Sequence, residues 1–285
     1  MKKVKTAVVP SAGVGTRMFP LSLSTPKELL PILELPAIHW TALEARASGI
    51  ERFVIVISKG KEQVGDYFRP HSEIEEKLRN GGKSDLLDVV TAPQKLFSEV
   101  VSVYQDEPLG LGHAVLCARD VVGNEPFAVM LPDDLFLCEP PCLTQLAKAL
   151  PEKGGCIAVS EVAESEFCRY GMCGGKEIED GVIRVERIVE KPPAAKSPGR
   201  VGTMGRYLLP PEVFDYLAKT KPGAIGEIQL TDALQRVAEE SELLAVVFKG
   251  ERFDAGTLEG YIETQLKLAA RDGKYRGILK TLLSR

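Results

Sequence analysis

Histidine is nearly missing from this chain: there are three in 285 residues. The six cysteines, Cys117, Cys138, Cys142, Cys156, Cys168 and Cys173, include no C-x-x-C pair, and His113 is the histidine nearest to any of them. These absences argue against a zinc site and leave free thiols in a reducing cytosol as the plain reading. Basic tracts are missing too, and the net charge is −4. Such a chain suits neither nucleic acid nor a membrane surface, so a polyanionic partner has to be small and met by a local cluster of cations. No apolar run approaches a transmembrane helix in length. The apolar part of the N-terminal "MKKVKTAVVPSAG" stops at Pro10, too short for the core of a signal peptide. A cytoplasmic soluble protein is expected.

What is present is an ordinary globular composition, 44% apolar and 27% charged, with enough length for a sizeable core. The first half alternates strand and helix patterns. "VKTAVVP" and "RFVIVIS" are short, β-branched and almost wholly apolar, which suits parallel strands buried on both faces. Between them "PAIHWTALEARASGI" has helical spacing, with Gly49 placed to end it. "VVSVYQ", "GLGHAVLCARDVVG" and "FAVMLPDD" repeat the strand–helix–strand order. The pattern predicts an α/β fold with a doubly wound, mixed, mostly parallel sheet. Ligands of such sheets gather beyond the carboxyl ends of the strands. The glycine loop after Val9, Gln105 and Asp133 are expected to converge there. In the second half "CIAVSEV", "VIRVERIVEKPP" and "LLAVVFKG" read as strands and "RYGMCGGKEIEDG" as turn-rich. Helices are expected over "PPEVFDYLAKT", "EIQLTDALQRVAEES" and Leu258 to Arg271. With no repeat and no low-complexity linker, residues 1–285 are taken as one domain with an insertion-rich second half.

The loop "AGVGTR" is neither of two common phosphate motifs. No Gly-Lys pair follows as in a Walker A loop, and Met18 stands where a dinucleotide fingerprint needs a third glycine. Its glycines still let backbone N–H groups approach a phosphate or a base edge, and Arg17 can fork two oxygens. Ten residues on, "TPKE" has the form of a capping box, with Thr25 as N-cap, Pro26 at N1 and Glu28 at N3. That sets Lys27 in a first turn, where a lone positive charge is unfavourable unless an anion joins it. The plain alternatives are a tight turn with a surface arginine and a solvated lysine.

Taken in order, "AGVGTRMFP", "TPKELLPI", "LGLGHAVLCA", "LPDD", "YG", "VEKP", "GRY" and "GEIQLTDA" resemble the bacterial UTP–glucose-1-phosphate uridylyltransferases, over about Val4 to Tyr261. The related thymidylyltransferases typically carry Lys-Gln where this chain has Lys27-Glu28. The resemblance implies an enzyme that makes UDP-glucose and pyrophosphate by in-line attack of the sugar phosphate on the α-phosphorus of UTP. The nucleophile is already an anionic oxygen, so cations rather than a histidine base carry the chemistry. It implies Mg²⁺ as cofactor and a homo-oligomer, dimer or tetramer. It also divides the chain into a nucleotide-binding half at about 1–135, a sugar-binding half at about 136–256 and C-terminal helices at about 257–285.

The residue roles it implies are these. Ala12, Gly13 and Gly15 lie against the nucleotide, and Gln105 and Gly110 read the uracil edge. Arg17 holds the leaving phosphates and Lys27 the α-phosphate, as the catalytic pair. Asp133, preferred over Asp134 by the motif, and Asp254 ligate Mg²⁺. Gly171, Glu190 and Gly205 meet the glucose, and Lys191 its phosphate. His113 is read as packed or capping, and Trp40 and the methionines as core. "LSLS", "DAGT" and "CRYGMCGGKE" depart from the family pattern. Two alternatives stand beside this reading: an enzyme using dTTP or another sugar 1-phosphate, and a non-catalytic nucleotide-sugar-binding regulator. A regulator would be expected to have lost Arg17, Lys27 or Asp133, and all three are present.

Overall fold

The computed structural model describes residues 4–223 and 226–283, so Ala224 and Ile225 of the glycine-rich "KPGAIGE" lie outside the described residues. Nine strands form the main sheet: β1 (Thr6–Pro10), β2 (Arg52–Ile57), β3 (Glu99–Tyr104), β4 (Phe127–Met130), β5 (Gly155–Glu161), β6 (Gly171–Glu179), β7 (Val182–Glu190), β8 (Val201–Leu209) and β9 (Leu243–Val247). Their order is β3-β2-β1-β4-β8-β5-β9-β7-β6. The first four are parallel throughout. The others pair antiparallel, except β5 beside β9. The expected mixed, doubly wound sheet is present; four of its eight neighbouring pairs are parallel, three of them in the first half of the sequence, so it is evenly mixed rather than mostly parallel.

Period-2 alternation in the apolar strands builds two cores, one on each face of the sheet. Ala7, Val9, Phe53, Ile55 and Ile57 face one of them, joined by Ile38, Ala42 and Ala45 of helix α1 (Ala37–Ala47). Val8, Val54 and Val56 face the other, under α2 (Leu111–Cys117), α3 (Val213–Lys219) and α4 (Leu230–Glu240). Phe127 and Phe214 stack there at 4.7 Å. Each large apolar side chain buried in this way contributes about 1.5–3 kcal/mol. Leu258–Arg271 is helical as expected, started by the Thr257 side chain accepting from the N–H of Gly260. A further helix follows at Gly273–Leu283.

The stretch read as turn-rich, Arg169 to Gly181, is mostly strand β6. Gly174 and Gly175 serve close backbone approach rather than turning, whereas Gly181 does sit in a turn, at φ 71°. A Cβ on Gly174 would lie 2.1 Å from the Pro198 carbonyl oxygen, and one on Gly175 would lie 2.0 Å from that of Arg184.

Candidate active site

Each parallel strand ends at the same edge of the sheet and delivers polar residues there. β1 runs into Ser11–Gly15, β2 into Lys61, β3 into Gln105 and β4 into Asp133. Gly15 is left-handed, with φ 73° and ψ 36°, and begins the 3-10 turn Thr16–Met18. Its carbonyl accepts from the N–H of Met18 at 2.8 Å and from Ser22 Oγ at 2.8 Å. A Cβ on Gly13 would meet no protein atom within 4 Å, so the space beside it faces outward.

"TPKE" does not close as a capping box. The 3-10 turn spans Lys27–Leu29, begins after Pro26 and has no side-chain cap. Glu28 instead turns inward, 1% exposed, and pairs with Lys61 at 2.7 Å. A partner brought in by tertiary contact outcompetes the local cap. The anion inferred beside Lys27 is supplied by the chain itself: Lys27 Nζ donates to Asp133 Oδ2 at 2.5 Å, across 106 residues of sequence. Arg17, 62% exposed, stands 4.0 Å from the same oxygen.

These pairings set the local electrostatics. Burial alone would lift the Asp133 pKa, but Lys27 and Arg17 outweigh it and hold the carboxyl at about 2. Burial works to lower Lys27, and Asp133 and Glu28 outweigh that, leaving it above its ordinary value. Burial, with Asp133 and Asp254 adding to it, pushes Asp134 up to about 6 against the pull of Arg252. A depressed carboxylate pKa stabilises the fold above its unfolded value and loses that stabilisation as pH falls through the folded one. Asp133 should therefore contribute stability that drains between about pH 4 and about pH 2. Urea unfolding of the metal-free protein at pH 5 and pH 3 should show a loss on the order of 1 kcal/mol that Asp133→Asn does not show. Equal losses in both proteins would remove this role.

Asp133 and Asp254 meet at Gly256. A Cβ there would lie 2.6 Å from Asp133 Oδ2 and 3.1 Å from Asp254 Oδ1, and Asp254 Oδ1 accepts from the N–H of Gly256 at 3.0 Å. Asp254 Oδ2 faces Arg169 at 3.3 Å and Arg252 at 3.7 Å. Arg252 also pairs with Asp134, donating from Nε at 2.8 Å. Gly205, expected at the glucose, is left-handed at φ 69°, and a Cβ on it would lie 2.2 Å from Asp134 Oδ2. Packing against Asp134 already requires glycine at this position.

Gln105, expected at the uracil, is buried and its Nε2 donates to the Gly110 carbonyl at 3.1 Å and contacts His113 Nδ1 at 3.1 Å. His113 is thus a packed partner of Gln105, and the amide oxygen is left as an acceptor. Gly110 has φ 96°, and a Cβ there would strike Glu227 Cβ at 2.8 Å. Gly171 pairs in register with Glu190, whose Oε2 accepts from Thr231 Oγ1 at 2.6 Å. Lys191 reaches Glu190 Oε1 at 3.2 Å and holds a left-handed backbone at φ 43°, unusual for a residue with a side chain.

Lys61, Arg169, Thr231, Arg206 and Arg252 were not identified from sequence. Arg206 is fully buried. It pairs with Glu44 at 2.9 Å and donates to the carbonyls of Leu131 (2.8 Å), Gly205 (3.2 Å) and Asp134 (2.7 Å). It also lies 4.5 Å from the centre of the Phe136 ring. It thereby clamps the loop that carries Asp133. Its place next to Gly205, within "GRY", was the available signal; for Lys61 the signal was its position just past the end of a buried strand.

The nucleotidyl transferase family model matches residues 6–271. A UTP–glucose-1-phosphate uridylyltransferase of Staphylococcus epidermidis is 41% identical over 284 residues, 99% of this chain and 98% of the relative. Among solved structures, the UTP-bound UGPase from Acinetobacter baumannii superposes with a TM-score of 0.89 at 34% identity, covering 99% of each chain. A UDP-glucose pyrophosphorylase complexed with UDP-glucose superposes with a TM-score of 0.83 at 36% identity, covering 94% of this chain and all of the other. Likeness at this identity, spread over the whole of both chains and not over the glycine loop alone, places the chain in the nucleotidyl transferase family, among the UTP–glucose-1-phosphate uridylyltransferases.

Proposed function

We propose that the chain makes UDP-glucose and pyrophosphate from UTP and glucose 1-phosphate. The observation that carries this reading is the convergence of Lys27, Arg17 and Asp133 at the carboxyl edge of the sheet, in a chain so like enzymes of that name. UTP is taken to lie on the loop from Ser11 to Gly15, with Ala12, Gly13 and Gly15 against it and its uracil at Gln105 and Gly110. Glucose 1-phosphate is taken to enter from the side of Gly171, Glu190 and Gly205, with Lys191 at its phosphate. The attacking oxygen is anionic, so the chain need remove no proton. Its work is to align two polyanions and to stabilise charge on the α-phosphate and the leaving pyrophosphate. Lys27 is assigned to the α-phosphorus and Arg17 to the pyrophosphate. Arg17 is exposed and therefore free to swing onto incoming phosphates.

Mg²⁺ fits the donor set. Asp133 and Asp254 offer hard oxygens on either side of Gly256. Among the described residues no three His, Cys, Asp or Glu side chains cluster to close a shell by themselves. A pair of carboxylates completed by substrate phosphates is the arrangement Mg²⁺ favours, and when bound there it would neutralise phosphate charge. Within the chain, Lys27, Arg169 and Arg252 balance the two carboxylates.

The continuous nine-stranded sheet supports reading the chain as one domain. Leu258, Ile262 and Leu266 stand exposed four residues apart on one helix, which supports a homo-oligomer. Among the described residues no helix is long and apolar enough to cross a membrane. Six unpaired cysteines support a cytoplasmic setting.

Pyrophosphate release measured with UTP or dTTP against a panel of sugar 1-phosphates tests the reading. Turnover should be highest with UTP and glucose 1-phosphate. The single methyl of thymine should change kcat/KM by no more than roughly 10–200-fold. Absence of turnover with every pair, despite tight binding of UDP-glucose, would leave the non-catalytic reading in its place.

A further inference from the structure

Lys61 lies outside every role assigned above, yet it touches both the glycine loop and the turn that carries Lys27. It follows β2 in the turn closed by its own N–H on the Ser58 carbonyl at 3.1 Å. Its side chain is 12% exposed. Nζ donates to the carbonyl of Ser11 and to that of Gly13 at 3.0 Å, and pairs with Glu28 Oε2 at 2.7 Å. Two of the three ammonium protons go to the carbonyls of Ser11 and Gly13, and Glu28 balances the charge at ion-pair distance. Lys61 is thus held by the chain itself. Lys59, two residues earlier, is exposed.

The two loop contacts have a geometric consequence. In a planar trans peptide the C=O and the following N–H point in opposite directions. Drawing the carbonyls of Ser11 and Gly13 inward onto Lys61 turns the N–H groups of Ala12 and Val14 outward, away from it. Two backbone N–H groups turned outward from one loop in this way are available to an anion. The open space beside Gly13 lies on the same loop. Glu28 completes the arrangement, because it is covalently next to Lys27, whose ammonium sits on Asp133. One buried ion pair thus joins the nucleotide loop to the turn that carries the catalytic lysine.

We propose that Lys61 is the positioning residue of the nucleotide loop, with Glu28 as its anchor: it orients the backbone donors of Ala12 and Val14 toward the nucleotide and fixes them relative to Lys27. This rests on the UTP reading above. Burial lowers the pKa of Lys61 and raises that of Glu28, each opposed by the partner's charge, so neither charge is retained comfortably without the other.

The test compares Lys61→Met with the pair variant Lys61→Met/Glu28→Gln, using calorimetric UTP binding, KM for each substrate and thermal unfolding. Lys61→Met should weaken UTP binding and raise KM for UTP on the order of 10–100-fold, while KM for glucose 1-phosphate stays near the wild-type value. Its Tm should fall because Glu28 is left buried and alone. In the pair variant both charges are gone, so Tm should recover while UTP binding stays weak. Recovery of UTP binding together with Tm would show an ion pair that serves the fold alone, and would overturn the proposal. So would wild-type UTP binding in either variant. If Lys61→Met does not fold, the pair variant decides the matter by itself. A wild-type protein that does not bind UTP would instead overturn the functional reading.

Discussion

Lys27→Ala should lose turnover by a factor on the order of 10²–10³ while the fold persists, as for the removal of one well-placed donor from a developing oxyanion. Lys27 is held in a short turn behind Pro26 with its ammonium on Asp133, so its position is set before substrate arrives. The loss should fall mainly on kcat, because charge on the transferring phosphoryl group is greatest in the transition state. Stability should fall only modestly, because Arg17 remains 4.0 Å from Asp133. Lys27→Arg should restore little, since a planar fork cannot occupy the place of a compact ammonium. Steady-state kinetics with circular dichroism on the same samples checks this. Near-normal turnover in Lys27→Ala would remove Lys27 from the reaction.

Arg206→Met should have the largest effect on stability, a loss of about 3–5 kcal/mol. The substitution leaves Glu44 charged and buried, and strips the carbonyls of Leu131, Gly205 and Asp134 of a shared donor. It also removes the cation from the face of Phe136. Arg206→Lys should recover only part of the loss, because one ammonium cannot reach all the acceptors arranged around a planar fork. Urea unfolding gives the difference directly. The carbonyls of Leu131 and Asp134 flank Asp133, so turnover in the surviving folded protein should fall as well. A loss below about 1 kcal/mol would show that the clamp is dispensable, since that is the range of an exposed pair.

Much of this architecture was legible in the sequence. The runs at Thr6–Pro10 and Arg52–Ile57 are strands because their apolar, β-branched residues suit burial on both faces. Gly49 ends its helix and Leu258 starts the next near the C-terminus, as local signals indicate. The convergence of the glycine loop, Gln105 and Asp133 followed from the rule that parallel strands deliver their loops to one edge. The reading failed where a residue serves a distant neighbour. Gly174 and Gly175 look like turn residues because they are glycines, and only the backbones packed against them show why a strand needs them. Glu28 has the spacing of a cap and is drawn away by Lys61.

The sequence by itself therefore determined the strand–helix alternation of the first half, the glycine loop, and the presence of cations and carboxylates suited to phosphate transfer. These depend on periodicity and backbone preference, which act between residues a few positions apart. Tertiary structure decided which charge meets which: Lys27 with Asp133, Lys61 with Glu28, Arg206 with Glu44. It also decided which lysine is buried and which remains in water. Those outcomes rest on desolvation and on contacts across tens to more than a hundred residues, and neither is defined until the sheet has assembled.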